Sequence, residues 1–293
     1  MSRIGFIGVG LMGSAMAHRL LDKGHELQIL GNRNRGNIAA LVERGAKEAA
    51  SARELASASE IVMLCVGTSD QVESRMRGDD GVIAGLEAGA VVIDFGTSLP
   101  ASTKTLGGEV AAAGGQYLDA PLGRTPAHAK DGLLNIMCAG DEAAYNKVLP
   151  ALKDLGENVF HLGALGSGHT VKLINNFFGM TVANAMCEAF AMADVQGVDR
   201  QAVYDVMSAG PLHSGMMDFV KGYGVDGDPS QLAFAIKNAA KDVGYYAEMA
   251  KQAGVTSVMS VSTLGALSDA TNSGKGDEMV SQMVDYYAAK LKG

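Results

Sequence analysis

The chain has 293 residues, 47% of them hydrophobic, which is enough for the cores of two globular domains. Its formal net charge is −8 and its longest basic cluster is Arg33-Asn34-Arg35, so binding to nucleic acid or to an anionic membrane surface is not expected. Three widely spaced cysteines argue against a disulfide framework and a zinc site, and we predict no metal.

The beginning of the chain shows no secretory signal pattern, because the first apolar run is short and interrupted by glycine. The longest apolar segment, residues 173–193, contains Asn175, Asn176, Asn184 and Glu188. Such polar residues are not typical of a membrane span. These features predict a cytoplasmic protein that does not enter a membrane.

Residues 1–165 alternate between short β-like runs and helix-period segments. The predicted strands are residues 3–8, 26–30, 60–66, 90–95, 116–120, 134–139 and 158–162. The predicted helices are residues 12–23, 35–43, 52–58, 100–113 and 142–154. This alternation is typical of a mostly parallel sheet covered by helices on both faces, so the first domain is predicted to be α/β.

After the glycine-rich stretch 163–168 no convincing strand follows. Residues 168–196 are predicted to form one helix, about 45 Å long, buried on most sides and ended by Gly197. Further helices are predicted at residues 200–208, 231–254, 260–272 and 277–292. We therefore predict two domains, a dinucleotide-binding domain at 1–165 and an all-α domain for substrate binding and oligomerisation at 166–293.

A glycine fingerprint, G-x-G-x-x-G, lies between the first strand and the first helix. Its residues are Gly8, Val9, Gly10, Leu11, Met12 and Gly13. In this context the glycines permit a tight turn and a close approach of the backbone to a pyrophosphate, which binds at the helix N-terminus. The motif predicts a nicotinamide dinucleotide as cofactor.

The region after the second strand indicates which dinucleotide is bound. NAD-specific proteins commonly place an acid there for the ribose 2′-hydroxyl, but this chain has Gly31, followed by Asn32 and Arg33, with Arg35 nearby. Arginines without a carboxylate favour the 2′-phosphate of NADP. The prediction is NADP, with NAD as the alternative, and a solvated loop remains the competing interpretation of the arginines.

A polar face on the long predicted helix is the strongest catalytic signal in the second half. His169, Lys172, Asn176 and Gly179 follow helical spacing, and Asn175 lies three residues after Lys172. Reduction of a carbonyl builds negative charge on its oxygen, which an ammonium can protonate. We predict Lys172 as the catalytic acid and base in a cleft between the domains, Asn175 and Asn176 as substrate ligands, and His169 as peripheral.

These motifs together resemble the β-hydroxyacid dehydrogenase family, which includes 3-hydroxyisobutyrate dehydrogenase and tartronate semialdehyde reductase. The resemblance covers nearly the whole chain and is carried by residues 6–13, 24–25, 93–97, 119–123, 168–176 and 241–244. It implies a Rossmann-type domain followed by a helical domain that forms the oligomer contacts. It also implies a catalytic role for Lys172, substrate binding by Asn176, and cofactor contacts for Val66, Thr97 and Lys241.

One departure from the family pattern bears on the substrate. Where the family usually has a serine and two glycines that hold a carboxylate, this chain has Gly123, Arg124 and Thr125. This motif looks like that of the sulfolactaldehyde reductase branch, where such an arginine meets a sulfonate. A carboxylate-bearing semialdehyde and a purely structural Arg124 are the alternatives.

The sequence thus predicts an oxidoreductase that transfers hydride between NAD(P) and a short anion-bearing aldehyde or 3-hydroxy acid. The candidate substrates are of the 3-hydroxyisobutyrate, tartronate semialdehyde, succinic semialdehyde or sulfolactaldehyde type. A dinucleotide-binding sensor without turnover and an imine reductase are the alternatives, and Lys172 counts against both. A long apolar helix in the second domain predicts a homodimer or homotetramer.

Overall fold

The computed structural model describes residues 1–31 and 35–292. Its contacts divide the chain into two compact units, Met1–Lys172 and Leu173–Gly293. None of the helices in the described part of the chain is both long enough and apolar enough to cross a membrane.

A six-stranded parallel sheet forms the centre of the first unit. Its strands are β1 (Arg3–Ile7), β2 (Glu26–Leu30), β3 (Lys47–Ala49), β4 (Ile61–Leu64), β5 (Val91–Asp94) and β6 (Gln116–Asp119). They lie in the order β3-β2-β1-β4-β5-β6. Every residue of β4 and β5 is buried, as expected for strands covered on both faces. The predicted Rossmann-type sheet is confirmed.

Eight helices accompany this sheet in the described part of the first unit. They are α1 (Leu11–Asp22), α2 (Arg35–Glu43), α3 (Ala52–Ser57), α4 (Ser69–Met76), α5 (Val82–Gly85), α6 (Pro100–Ala112), α7 (Pro126–Asp131) and α8 (Glu142–Leu155). Five of them, α1, α2, α3, α6 and α8, lie near predicted positions. Helices α4, α5 and α7 and strand β3 were not predicted. In a parallel sheet the carboxyl ends of all strands share one edge, so the loops after β1, β4, β5 and β6 lie along that edge.

A second, smaller sheet follows the first. It contains β7 (Leu122–Gly123), β8 (Leu134–Cys138) and β9 (Gly156–His161) in sequence order. Strand β8 pairs antiparallel with β7 and parallel with β9. The strands predicted at 134–139 and 158–162 therefore exist as β8 and β9. They belong to this separate mixed sheet and not to the six-stranded one.

The second unit is helical. The chain enters it along α9 (Ser167–Gln196), followed by α10 (Arg200–Ser208), α11 (Gly215–Gly224), α12 (Ile236–Gln252), α13 (Val258–Ala270) and α14 (Met283–Lys292). Gly197 ends α9 with a φ of +68°, as the sequence predicts. Several methionines fill the core of this unit, among them Met180, Met186, Met217 and Met283.

Several predictions for the helical half were wrong: the helix predicted at 277–292 begins at Met283, and α11 was not predicted. The segment predicted as one helix at 231–254 contains the end of a 3₁₀ turn, Pro229–Leu232, and then α12; between them the backbone is extended at Ala235, which forms an antiparallel bridge with Met279. Helix α9 is also more exposed than predicted, since Val171, Ile174 and Phe178 are accessible.

Candidate active site

The glycine loop after β1 has the geometry that a bound pyrophosphate requires. Gly8 has a φ of +100°, and a Cβ there would lie 2.3 Å from the Cys65 carbonyl oxygen. A Cβ on Gly13 would lie 1.9 Å from the Gly8 carbonyl oxygen, so α1 packs directly against the turn. In contrast, a Cβ on Gly10 would meet nothing within 4 Å, which leaves open space in front of the loop.

The N-terminus of α1 has uncapped N–H groups and no acidic residue, an arrangement that favours an anion. Its N-cap is Gly10, which offers no side-chain bond to the first N–H groups, and the first turn contains no acidic residue. Val9 is fixed on the other side, where its carbonyl accepts a hydrogen bond from Asn37 Nδ2 at 2.8 Å. Exposed N–H groups at the positive end of a helix favour a phosphate. The residues present therefore fit a dinucleotide.

The residues predicted to select NADP are only partly described. Asn32 and Arg33 lie outside the described residues. Arg35 forms a bidentate ion pair with Glu48, at 2.7 Å and 2.9 Å. The loop after β2 has no acidic residue, but Glu48 on the neighbouring strand β3 brings a carboxylate to this place. Arg35 is therefore ion-paired and not simply solvated.

Thr97 lies on a loop that one buried carboxylate organises. Asp94, at the end of β5, accepts a bond from the Gly96 N–H at 2.8 Å and another from Ser98 Oγ at 2.9 Å. These bonds fix the backbone on both sides of Thr97. A Cβ on Gly96 would lie 3.0 Å from the Val66 carbonyl oxygen, so the two predicted cofactor residues stand on adjacent loops.

The Gly123–Thr125 segment forms a fixed turn in the first unit. Gly123 pairs with Asn135 in the small sheet, and Thr125 is the N-cap of α7. Arg124 between them has a φ of +76°, a left-handed conformation that favours glycine. The residue type that the family usually has here is therefore the one that this backbone favours.

The Arg124 side chain is engaged within the protein. Its Nη1 donates to the Leu133 carbonyl at 2.7 Å and to Glu157 Oε2 at 2.6 Å. Both bonds use Nη1, so the donors on Nη2 and Nε are not consumed by these contacts. The prediction that Arg124 binds the substrate anion remains a prediction, and Glu157 is a counter-charge that the sequence did not reveal.

Lys172 lies beside the same turn. Its Nζ donates to the Leu122 carbonyl at 2.7 Å, and the side chain is partly buried. Leu122 directly precedes Gly123. The structure therefore brings the predicted catalytic amine to the segment that was predicted to hold the substrate anion.

Asp119 fixes the beginning of α9 and so the position of Lys172. Its carboxylate accepts bonds from the Gly166 N–H at 2.8 Å and from the His169 N–H at 2.7 Å. Gly168 is required between them, because a Cβ there would lie 2.2 Å from the Met137 carbonyl oxygen. Burial raises the pKa of Asp119, while His169 and the two N–H groups act in the opposite direction.

His169 is buried and not placed for direct chemistry. Its ring is fully inaccessible, and Nδ1 lies 2.7 Å from Thr103 Oγ1. Asp94 and Asp119 lie 3.7 Å and 3.8 Å from its ring nitrogens. The side chain belongs to a buried polar cluster beneath the loops.

In the second unit, Asn176 belongs to a chain of polar contacts. Its Nδ2 donates to Asp242 Oδ2 at 2.6 Å, and its Oδ1 accepts from Asn175 Nδ2 at 3.2 Å. Asp242 is buried, and its Oδ1 lies 2.9 Å from Lys241 Nζ. One carboxylate thus orients both Asn176 and Lys241, while Asn175 is more exposed.

Sequence reasoning did not assign roles to Asp119 and Asp242. Both acids lie in motifs that carry the family resemblance, but neither was predicted as a site residue. The sequence feature that could have identified them is an acidic residue among apolar ones. Asp119 ends a buried strand, and Asp242 lies on an apolar face of α12. Buried carboxylates require partners, and here these partners are the start of α9 and Asn176.

Family models match both halves of the chain. The model described as the NAD binding domain of 6-phosphogluconate dehydrogenase matches residues 3–163. The model described as NAD-binding of NADP-dependent 3-hydroxyisobutyrate dehydrogenase matches residues 166–287. The chain belongs to the β-hydroxyacid dehydrogenase family. It is an NAD(P)-dependent oxidoreductase, so the predicted family, enzyme class and cofactor class are confirmed.

Individual members of the β-hydroxyacid dehydrogenase family are similar over most of their length. The 3-sulfolactaldehyde reductase of Escherichia coli (strain K12) is 31% identical over 288 residues, which are 97% of this chain and 95% of that protein. The 2-hydroxy-3-oxopropionate reductase of the same organism is 33% identical over 217 residues, or 74% and 73% of the two chains. A crystal structure of 3-hydroxyisobutyrate dehydrogenase from Salmonella typhimurium superposes with a TM-score of 0.83 at 28% identity, covering 97% of this chain and 99% of that one.

Proposed function

We propose that this chain interconverts a short aldehyde bearing an anionic group with the corresponding 3-hydroxy acid. The observation that carries the proposal is the 2.7 Å bond from Lys172 Nζ to the Leu122 carbonyl. It sets an amine next to a turn that offers backbone N–H groups and a guanidinium. An acid-base group beside an anion-binding segment is the arrangement that reduction of an anionic carbonyl compound requires.

Lys172 exchanges the proton. When bound, NAD(P) supplies or accepts the hydride. In the direction of reduction the ammonium of Lys172 donates a proton to the carbonyl oxygen, and in the reverse direction its neutral amine takes the hydroxyl proton. The Leu122 carbonyl holds the nitrogen in place before the substrate arrives.

The Gly123–Thr125 turn binds the anionic group of the substrate. The guanidinium of Arg124 offers planar, multi-donor recognition through Nη2 and Nε, which suits a sulfonate or a carboxylate. The 31% identity to a protein named 3-sulfolactaldehyde reductase supports the sulfonate. A carboxylated semialdehyde is the second candidate, because a 3-hydroxyisobutyrate dehydrogenase has the same fold at 28% identity.

Asn176 orients the substrate from the next turn of α9. Its amide is itself oriented by Asp242 and Asn175, and it retains an N–H that the bond to Asp242 does not use. Lys241 is proposed to contact the cofactor, and Asp242 keeps its ammonium close to the helix. NADP is the proposed preference, and it rests on Asn32, Arg33 and Arg35.

The test is a substrate panel assayed with the wild type and Lys172→Ala. Sulfolactaldehyde, tartronate semialdehyde, succinic semialdehyde and 3-hydroxyisobutyrate are offered with each cofactor, and the absorbance of the reduced cofactor is followed. We expect turnover of at least one member and a fall in kcat of about 10²–10⁴-fold in the variant. Cofactor affinity is expected to stay unchanged, and Lys153→Ala, on the surface of α8, serves as the control.

The same assay separates the alternatives. A chain that binds the cofactor but turns over no member of the panel is a sensor. A ketone and an amine are added together as a further member of the panel, and activity with this mixture alone identifies an imine reductase. Full turnover in Lys172→Ala contradicts the role given to the lysine.

We also propose a cytoplasmic homodimer or homotetramer. Cys65, Cys138 and Cys187 are all free thiols, as is usual in a reducing compartment. Exposed apolar residues on α9, Ile174 and Phe178 among them, support self-association.

A further inference from the structure

The space beside the end of β2 is occupied by an ion pair. A Cβ built on Gly31 would lie 2.0 Å from Glu48 Oε1 and 2.6 Å from Arg35 Nη1. The volume that a side chain at position 31 would use is thus filled by two charged groups from elsewhere in the chain. Glycine at this position leaves room for the pair in the arrangement observed.

The position of the pair is set by regular structure on both sides. Glu48 lies on β3, whose register with β2 places it opposite Ile29. Arg35 is the first residue of α2. Two parallel bonds join the groups, and the bond from Arg35 lowers the pKa of Glu48, so the carboxylate is ionised at neutral pH.

In a dinucleotide-binding sheet this is the place where the adenosine ribose is read. A carboxylate after the second strand binds the 2′-hydroxyl of NAD, and an arginine accommodates the 2′-phosphate of NADP. Among the residues that the structure describes here, Glu48 and Arg35 are one group of each kind, bound to each other. A phosphate that approaches Arg35 must compete with Glu48 for its donors and also meets the negative charge of Glu48.

We infer that Glu48 is a specificity-determining residue that weakens binding of the 2′-phosphate of NADP. It supplies from β3 the carboxylate that position 31 lacks, and it restrains Arg35. The inference rests on the dinucleotide site of the family and on the proposed use of Arg35, and it is independent of the substrate and of Lys172. On this inference, the choice between NAD and NADP depends on how strongly Glu48 competes with the 2′-phosphate for Arg35, and not on the arginines alone.

The test measures binding of two nicotinamide-free probes, ADP-ribose and 2′-phospho-ADP-ribose, to the full chain by calorimetry. Glu48→Gln should tighten binding of the phosphorylated probe about three- to fivefold, the effect of one partly exposed charge, without tightening ADP-ribose. The control is Glu60→Gln, which removes the partner of Arg3 in another exposed pair before β4 and should leave the ratio of the two dissociation constants unchanged.

A second comparison keeps the inference testable if Glu48→Gln is poorly folded. Arg35→Ala leaves Glu48 unpaired and should weaken binding of the phosphorylated probe, and adding Glu48→Gln should restore part of that loss. An unchanged ratio in Glu48→Gln, or no restoration in the double variant, overturns the inference. If the wild type binds ADP-ribose more tightly than 2′-phospho-ADP-ribose, the proposed NADP preference is refuted. The role of Glu48 is tested separately, by the change in the ratio of the two dissociation constants between the wild type and Glu48→Gln.

Discussion

At the scale of single residues, Arg124 combines an unfavourable backbone with a side chain suited to anions. Among the residues that the structure describes, it is the one non-glycine residue with a positive φ. A left-handed conformation costs a residue with a Cβ about 1–2 kcal/mol, and glycine avoids this cost. Residues held in such conformations cluster at functional sites, where the side chain compensates for the strain.

Two substitutions at this position separate strain from recognition. Arg124→Gly and Arg124→Ala both remove the guanidinium, but only glycine relieves the backbone. The glycine variant should unfold about 2–4 °C above the alanine variant, as measured by thermal unfolding, while both raise KM for the anionic substrate to a similar degree. Equal unfolding temperatures would show that the turn is not strained, and an unchanged KM would show that Arg124 does not bind the substrate.

At the scale of elements, the start of α9 is held by hydrogen bonds and by close packing against the rest of the first unit. Asp119 binds its first N–H groups, and Gly168 lies against the Met137 carbonyl. Lys172 follows one turn later, so the packing of a glycine determines where the amine lies.

Gly168→Ala should therefore damage both stability and activity. The added Cβ would lie 2.2 Å from a carbonyl oxygen, and overpacking of this kind typically costs about 1–3 kcal/mol. We expect a lower unfolding temperature and a lower kcat. The matched control is Gly265→Ala in α13, where a Cβ meets nothing within 4 Å and helix propensity should raise stability. Similar unfolding temperatures for the two variants would contradict the close packing of Gly168 at the start of α9.

A second link between elements is the ion pair of Asp194 and Arg200. Arg200 donates two bonds to Asp194, at 2.9 Å and 2.6 Å, and a third to the Gly224 carbonyl at 2.8 Å. It thereby ties the end of α9 to α10 and α11. The hydrogen bond from Arg200 lowers the pKa of Asp194.

This pair predicts a pH-dependent stability. Because the folded-state pKa is lowered, the stabilisation is present above the ordinary pKa of aspartate and is lost as pH falls through the folded-state value. Asp194→Asn should cost about 1–2 kcal/mol at neutral pH, and the gap to the wild type should close in acid, as followed by unfolding temperature. Asp277→Asn, which removes a more exposed ion-paired carboxylate, should cost less. A gap that persists at low pH contradicts the assignment.

Elements with local signals were predicted from the sequence. Helices α2 and α10 were predicted with their observed bounds, since the apolar spacing is contained within each segment, and the structure adds that Asp199 caps α10. Strand β3 has three residues, which is too short for a periodic pattern. The break before α12 coincides with a bridge between Ala235 and Met279, a distant pairing that no local pattern reveals.

The same distinction applies to the site. The glycine loop and the spacing of Lys172 and Asn176 along a helix are local patterns, and the sequence sufficed to propose them. Glu48 and Glu157 are partners of Arg35 and Arg124 from other elements. Whether an arginine is engaged in an ion pair depends on such distant partners, so the sequence indicated which residues matter but not what they contact.

At the scale of the whole molecule, α9 presents an apolar stripe to solvent. Helical spacing puts these residues on one side of the helix in two groups, Val171, Ile174 and Phe178 near its start and Met192 and Val195 near its end, with the exposed Glu188 between the groups. Phe178 is 68% exposed. Large exposed apolar patches mark association sites, which supports the predicted homo-oligomer.

The mass in solution tests this prediction. Light scattering should give two or four times the 30.3 kDa of one chain. Phe178→Glu should lower the mass, whereas Val206→Glu, on α10 and equally accessible, should leave it unchanged. A monomeric wild type would refute the oligomer, and an unaffected variant would exclude the stripe as the interface.

The loop from Asp119 to Leu122 has a consequence for kinetics. Its first carboxylate holds the start of α9, and its last carbonyl holds the amine of Lys172. If the adjoining Gly123–Thr125 turn binds the substrate and Lys172 donates the proton, as we propose, then this one loop supports both groups. Substitutions in this loop should shift KM and kcat in concert, and efforts to retune selectivity by redesigning the loop will alter the rate of the chemical step as well.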